Sequence, residues 1–467
     1  MDLAQYIAGL NYDPRILLSV VEDGATQAVP VKERTTQSNA VVICTKTRTS
    51  LKKNLSEVAI LSPAAGVVFP GALVLADENL MEGHPTPIAL PRRDCTLSID
   101  LPGLANSSGL VRPDGSSVQD FINRILEAWN KDTKSQGYVN AARSFLNVTQ
   151  AFTSQQTALD LGFNAKWASG NASSQLNSAS NTERSVVVAY FKQVFYTVTM
   201  NTPQGAASVF GDSVTLQDAQ HVFSAQHPPA YVRSVDYGRI LMVRMETSSV
   251  DTSVNLKGAF EQATSGGVTA GGDLASKYQS IIKNSTFTVV AIGGGADSAV
   301  EVFGGASDGQ LKGLKDYIQK DATYRRDNPG LPVAYQVAFL KDNSFAMMGF
   351  PTEYTETQCI RYPNGFVKFR NAGGYVAKAE VTWLEADPHG NYSVNRKWES
   401  GNQTAGWEQS VDVPGDAHGL RLKAWCATGL VWDPWGEIMN IALEGPSNKC
   451  YRFVGSTLIG RGYDNNC

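Results

Sequence analysis

Two stretches of the chain alternate between apolar and polar positions with unusual regularity. From Gln156 to Lys166 the even positions read Gln, Ala, Asp, Gly, Asn, Lys. The odd positions carry Thr157, Leu159, Leu161, Phe163, Ala165 and Trp167. About eleven alternating residues is the length of one membrane-crossing β-strand. Residues 168–171 (ASGN) then offer a turn, and the return through Leu176 alternates only weakly. The second stretch repeats the design. Val250, Val254, Leu256 and Phe260 share one parity, and Asp251, Ser253, Asn255, Lys257 and Glu261 the other. Ser265-Gly266-Gly267 make a turn, after which Val268, Ala270, Leu274 and Tyr278 face Thr269, Asp273, Lys277 and Gln279.

The same residues also satisfy a helix. Leu159, Phe163 and Trp167 recur every four positions, as do Leu256 with Phe260 and Leu274 with Tyr278. A spacing of four fits period 2 fully and period 3.6 nearly, so periodicity leaves an ordinary half-buried hairpin or helix open beside a membrane hairpin. Segments of this kind can pack as helices on a soluble body and rebuild as strands elsewhere. A lone hairpin in hydrocarbon would leave its outer N–H and C=O groups unpaired, at several kcal/mol each (order of magnitude). Only closure into a barrel of many subunits removes those edges.

At the other end of the chain, six of the eight Trp (Trp383, Trp398, Trp407, Trp425, Trp432, Trp435) fall from position 383 onward. Trp suits the membrane–water interface. Trp383, in YVAKAEVTWLEA, reads as the core of a β-sandwich. In WCATGLVWDPWGE, Gly429, Pro434 and Gly436 mark a loop whose Trp are poorly placed for burial.

Length and charge narrow the classes. At 467 residues the chain is expected to fold as about three or four domains. A formal net charge of −4 lacks the Lys and Arg excess of a sequence-independent nucleic-acid binder, so no nucleic-acid partner is expected. No run approaches eighteen uninterrupted apolar residues, which excludes an ordinary transmembrane helix. The first residues, with Asp2 and no base before Arg15, contain no recognisable signal peptide. A signal removed before this numbering and another route of export both remain open. Cys44, Cys95, Cys359, Cys426, Cys450 and Cys467 show no CxxC or zinc spacing, and no metal site is expected. They read as isolated buried thiols, with a Cys450–Cys467 disulfide as the alternative. The five His form no HExxH or triad grouping and read as structural. The glycines after VVAI (Gly293, Gly294, Gly295) lack GxGxxG and P-loop spacing and read as a strand end or bend. No catalytic constellation or cofactor motif is present in the sequence, so an enzyme is the weakest reading.

The chain resembles the thiol-activated, cholesterol-dependent cytolysins across nearly its full length. The resemblance rests on FPGALVLADENLMEGHPTPI, IDLPGL, FKQVFYTVT, SVDYGRILMVRMETSS, FTVVAIGG, NPGLPVAYQVAFLKDN, GGYVAKAEVTW and STLIG. It implies an α+β, elongated multidomain toxin. A central twisted antiparallel sheet is flanked by helical bundles and followed by a C-terminal β-sandwich. It also implies four domains: domain 1 from 1–18, 55–143, 194–239 and 323–346; a β connector, domain 2, from 19–54 and 347–363; domain 3, bearing the inserting hairpins, from 144–193 and 240–322; and a membrane-binding sandwich, domain 4, from 364–467. In the family, the two alternating segments correspond to helical bundles that become transmembrane hairpins.

The family's sterol-recognising pair matches Thr457-Leu458. Its Trp-rich loop, ECTGLAWEWWR, aligns with Cys426, Ala427, Thr428, Gly429, Leu430, Val431, Trp432, Asp433, Pro434, Trp435 and Gly436. The thiol is thus shifted by one, a Trp has become Pro434, and the Arg has become Gly436. Two other tip loops match Gly373-Gly374 and Thr404-Ala405-Gly406. Phe287 matches an aromatic used in subunit pairing, with Gly293 and Gly294 beside it, while its partner Tyr is replaced near Phe145-Leu146.

The implied function is a pore-forming cytolysin, with two hairpins inserted per subunit. It would be secreted or released as a monomer or dimer, bind cholesterol or a sterol-rich target-cell membrane, and form a homo-oligomer there. A competing reading is a cytolysin-like binding module. It would recognise another lipid, a glycan or a partner, and form pores only with a second component.

Overall fold

The structure, a computed structural model, describes residues 2–21, 26–60, 67–81, 84–133, 136–163, 180, 184–248, 256–265, 272–293, 300–304, 308–319 and 322–466. The chain forms two compact units, one from residues 1–27, 48–249 and 254–355, the other from 28–47, 250–253 and 356–467.

The first unit is built on a ten-stranded sheet. Strand β1 (Ala40–Leu55) belongs to a smaller sheet, whereas β2 (Cys95–Ile99) and β3 (Ser108–Val111) form one end of the large one. Helix α1 (Gly115–Ala128) follows, its first turn capped by Asp114, which accepts from the Ser117 N–H at 2.9 Å. Its buried stripe of Val118, Phe121, Ile122, Ile125 and Leu126 keeps the 3.6 period. Strand β4 (Arg143–Gln150) and helix α2 (Ser154–Leu161) precede the two longest strands, β5 (Ser185–Met200) and β6 (Pro229–Thr247). Then come α3 (Leu256–Ser265), α4 (Gly272–Lys283), β7 (Ser285–Ile292), β8 (Val300–Gly304), α5 (Asp308–Gln319), β9 (Leu331–Phe339) and β10 (Met348–Pro363). The sheet order is β8-β7-β6-β5-β2-β3, with β4 pairing β5 and β9 pairing β6.

Strands β5 and β6 are buried almost throughout because helices cover both faces. Val187, Ala189, Phe191, Leu241, Val243 and Met245 pack against Leu256, Ala259, Phe260 and Ala263 of α3, with α4 and α5. The alternate residues Val186, Val188, Tyr190, Ile240 and Met242 pack against Ala158, Leu161 and Phe163. The described parts of the two alternating segments therefore lie on opposite faces of one sheet. The competition between periods 2 and 3.6 is resolved as helix over 154–161, 256–265 and 272–283. Thr153 caps α2, and Gly162 ends it at φ 86°.

On β6 the pairing with β9 shifts between Val232 and Ser234, and the pairings with both neighbours shift near Gly238. There the pairing with β5 shifts between Tyr237 and Gly238, and that with β9 between Asp236 and Tyr237. A Cβ on Gly238 would stand 1.9 Å from the Gln193 carbonyl oxygen. Two further glycines crowd the same backbone, Gly293 at φ +80° and Gly330 at φ +79°. Gly293 follows the last residue of β7 and packs on β6, whereas Gly294 and Gly295 lie outside the described residues. Nearby, buried Lys192 pairs with Asp236 at 3.0 Å and with Glu57. Burial holds the Glu57 carboxyl above its usual range, against a smaller opposing pull from Lys192.

The second unit is a sandwich of two sheets. Strands β11 (Gly365–Asn371), β12 (Ala377–Ala386), β13 (Tyr392–Glu399), β14 (Glu408–Val413), β15 (His418–Ala427), β16 (Trp435–Leu443), β17 (Lys449–Val454) and β18 (Gly462–Asp464) form it. The orders are β14-β11-β17-β18 and β13-β12-β15-β16. Inward residues such as Val367, Phe369, Val381, Leu422 and Phe453 fill the core, and Trp383, Trp398 and Trp407 pack half-buried against it. Segments 28–47 and 356–363 also belong to this unit, where Arg34 grips buried Asp416 through two hydrogen bonds of 2.7 and 3.0 Å.

The reading of all six cysteines as isolated thiols is corrected here. Cys44 on β1 and Cys359 on β10 form a disulfide across neighbouring strands. Cys450 is also disulfide-bonded, and Cys467 lies outside the described residues. Among the described residues Cys95 and Cys426 are free, and both are buried.

Candidate functional site

Four loops emerge at one end of the sandwich, joined by backbone hydrogen bonds. Gly374 N–H donates to the Gly455 carbonyl at 2.8 Å, Ala427 N–H to Val376 at 2.7 Å, and Ala377 and Gln403 exchange bonds at 2.9 and 2.7 Å. The fully buried Asn371 side chain sits at the junction. Its Nδ2 donates to the carbonyls of Tyr375 (2.9 Å) and Gln403 (3.2 Å), and its Oδ1 accepts from the Gly373 N–H (3.1 Å). Tyr375 completes the frame. Its hydroxyl donates to the Val454 carbonyl at 2.8 Å and lies 3.5 Å from that of Gly462, so it spans both stems of the 455–461 loop. Burial pushes its pKa to about 12, so it remains a donor at neutral pH. Neither residue was singled out by sequence reasoning. The GGYVAKAEVTW stretch that contains Tyr375 was the available signal.

The loop at 428–434 closes on itself. Thr428 N–H donates to the Pro434 carbonyl at 3.0 Å, its hydroxyl donates to the Asp433 carbonyl, and Leu430 N–H donates to that hydroxyl at 3.1 Å. In the 455–460 loop, Ser456 N–H donates to the Ile459 carbonyl at 2.9 Å. Gly455, at φ +98°, is required there, because a Cβ would stand 2.1 Å from the Gly460 carbonyl oxygen. Thr457 is half-buried at the turn and Leu458 stands out of it.

These turns present apolar side chains to water. Val431 is 93% exposed, Trp432 82%, Leu458 85% and Ile459 79%, with Leu430 partly exposed beside them. Burying each would contribute about 1.5–3 kcal/mol, so their presentation on hydrogen-bonded loops marks an interaction surface. Thr404 and Ala405 are exposed polar and small residues of the neighbouring loop, whereas Trp435 is half-buried at a loop base.

No helix among the described residues is long and apolar enough to cross a membrane. No group of three or more His, Cys, Asp or Glu among them is placed to hold a metal ion.

The remaining expected residues fall elsewhere. Leu161, Phe163, Leu256, Phe260 and Tyr278 are buried against the large sheet, and Leu159 is also buried. Ala165, Trp167, Val254, Val268 and Gly294 lie outside the described residues, as does the Leu274 side chain. Phe287 on β7 is fully buried, in register with Met245 on β6 and Phe303 on β8. Phe145 and Leu146 are exposed on β4.

Comparison with known proteins places this arrangement. The model of the thiol-activated cytolysins matches residues 2–362, and that of the thiol-activated cytolysin beta sandwich domain matches 366–461. The chain belongs to the thiol-activated cytolysins. It is similar to ivanolysin of Listeria ivanovii, at 34% identity over 97% of this chain and 86% of that protein. The crystal structure of listeriolysin O, the Listeria monocytogenes toxin, matches with a TM-score of 0.85 at 31% identity, covering 100% of this chain and 95% of that one. Wild-type pneumolysin matches with a TM-score of 0.84 at 28% identity, over 99% and 98% of the two chains. This cytolysin is a pore-forming toxin with the mixed α and β fold and C-terminal sandwich of its family.

Both free thiols among the described residues are buried. Cys426 is fully buried in the sandwich core, whereas Ala427, where the family cysteine aligns, is half-buried. A water-soluble thiol reagent is expected to leave Cys426 unmodified in the folded protein and to label it in denaturant. Mass spectrometry after brief alkylation checks this, and rapid labelling of the native protein would contradict it.

Proposed function

We propose that the four sandwich loops bind cholesterol-rich membrane, with Thr457 and Leu458 recognising the sterol and Val431, Trp432 and Ile459 entering the bilayer beside them. The observation that carries this reading is the exposure of these apolar side chains on two turns held by one hydrogen-bonded frame. Residues 426–436, Gly373, Gly374, Thr404 and Ala405 belong to the membrane-binding end.

After binding, subunits associate through the edge of the large sheet. Phe287 becomes available when β8 leaves it, and Gly293 and Gly294 allow that strand end to move. The segments carrying Leu159, Leu161, Phe163, Ala165 and Trp167, and Val254, Leu256, Phe260, Val268, Leu274 and Tyr278, then rebuild as hairpins in a closed barrel. Burial of lipid-facing side chains drives insertion, and closure satisfies the backbone. The four-domain division given above is the working plan for these movements, with domain 4 binding and domain 3 inserting. The toxin is released from its cell and acts at the target-cell membrane as a homo-oligomer.

The combined Thr457→Gly and Leu458→Gly variant tests the sterol assignment. Sedimentation with liposomes containing cholesterol should fall to the level seen without it. Thermal stability should change by less than about 0.5 kcal/mol, because the pair lies in a surface turn. Retained cholesterol-dependent sedimentation would remove the assignment. Binding that persists without any cholesterol would favour recognition of another lipid or partner.

A further inference from the structure

Between the bases of the two apolar turns lies a cation that the cytolysin reading leaves unused. Arg461 directly follows Gly460, and its side chain is exposed. Gly436, at the foot of the 428–434 loop, leaves room beside it. A Cβ built there would stand 3.4 Å from Arg461 Nη1 and 3.5 Å from Thr428 Cγ2. The guanidinium of the sterol-pair loop therefore lies against the base of the Trp-bearing loop, behind the apolar side chains of both. Among the described residues no carboxylate is within ion-pair range of Arg461.

A second cation stands at the same end. Lys378 Nζ lies 4.3 Å from the Trp435 ring centre and 5.3 Å from that of Trp425. Trp435 pairs with Ala427 at the mouth of the loop. Lys378 is partly answered by Glu399, whose carboxyl is held below the usual range chiefly by hydrogen-bonded Lys397 and to a lesser degree by Lys378. Arg461 has no such partner. The exposed carboxylate of the apex, Asp433, opposes an anionic surface, so attraction there depends on the cations behind it.

We propose that Arg461 binds the headgroup of an acidic phospholipid, whose phosphate carries no compensating net positive charge beside it, when Val431, Trp432, Leu458 and Ile459 enter the bilayer. This rests on the membrane-binding reading of the two loops and adds a second lipid class to it. The chemistry fits the depth order. Apolar residues at the turn tips meet hydrocarbon, Trp435 with Lys378 meets the interface, and the guanidinium at the loop bases meets the phosphate layer. The guanidinium fork can hold two phosphate oxygens at once, an arrangement open to an unpaired Arg. Binding should therefore strengthen with anionic lipid and weaken with salt, on top of an unchanged requirement for sterol.

The test uses the full chain and vesicles of phosphatidylcholine and cholesterol, with or without phosphatidylserine, in low and high salt. Cholesterol dependence on the neutral vesicles measures the underlying membrane-binding reading separately. If that dependence is absent, it is the sterol assignment that fails. On phosphatidylserine vesicles at low salt, the wild type should bind about fivefold more tightly than on neutral ones. Arg461→Ala should lose most of that gain, and Arg461→Lys should keep much of it. Arg421→Ala, on an exposed position of β15 away from the loops, should match the wild type. Equal binding of wild type to both vesicle types would overturn the proposal. So would a loss in Arg461→Ala that is the same on neutral vesicles and in high salt, which would mean a purely structural role. If Arg461→Ala does not fold, the salt dependence of the wild type and the Arg461→Lys variant decide the matter.

Discussion

A cysteine placed at position 259 will be shielded from a charged thiol reagent in solution and will react once pores form. In solution, α3 turns Leu256, Ala259, Phe260 and Ala263 inward, all fully or nearly fully buried, and leaves Lys257 and Glu261 exposed. A membrane strand sorts the same residues by parity instead, with 256, 258, 260 and 262 toward lipid and 257, 259, 261 and 263 toward the lumen. Positions 259 and 263 are where the two periods disagree most. Ala259→Cys and Ala263→Cys are therefore expected to gain reactivity by about two orders of magnitude on cholesterol-containing liposomes. Phe260→Cys should stay protected in both states, and Glu261→Cys should react in both. Alanine to cysteine is a small change in a core, so the soluble form should survive it. Protection that still repeats every three or four residues on leaking liposomes would mean that α3 persists, and the hairpin mechanism would fail.

Gly238→Ala should be the most damaging single methyl in the large sheet. The added Cβ would overlap the Gln193 carbonyl oxygen at 1.9 Å, and Gly293 and Gly330 block movement on the other sides. Backbone cannot rotate away as a side chain does, so the strand pair β5–β6 must separate at its register shift. A loss of about 3 kcal/mol or more is expected, read as a fall in the unfolding midpoint in denaturant. Gly9→Ala is the control. Its Cβ would meet nothing within 4 Å, and alanine there should be neutral or slightly stabilising. Equal midpoints for Gly238→Ala and the wild type would show that the sheet can relax at this point.

The loud signals in the sequence marked the segments that have to satisfy two environments. Leu159, Phe163, Leu256 and Phe260 recur at a spacing of four, and that spacing alone could not choose between helix and strand. Packing against β5 and β6 chose helix. The Trp-bearing loop was legible because Gly429, Pro434 and Gly436 break any regular element around Trp432. What the sequence concealed were pairings across long separations. Cys44 and Cys359 are 315 residues apart, and no local spacing could announce their bond. Asn371 and Tyr375 looked ordinary because their work is to satisfy backbone groups of loops that meet only in the folded sandwich. The crowding around Gly238 was equally hidden, since it arises where three glycines from distant segments converge.

Strands β1 and β10 are neighbours in one sheet, and each has residues in both compact units. The Cys44–Cys359 bond welds them at one rung. Two hydrogen-bonded strands can deform by bending together or by shearing past each other, and shear requires every rung to break and re-form one step along. A covalent rung forbids that slip while leaving flexure free. Both cysteines lie within the second unit, so there the strand pair can flex but cannot change register.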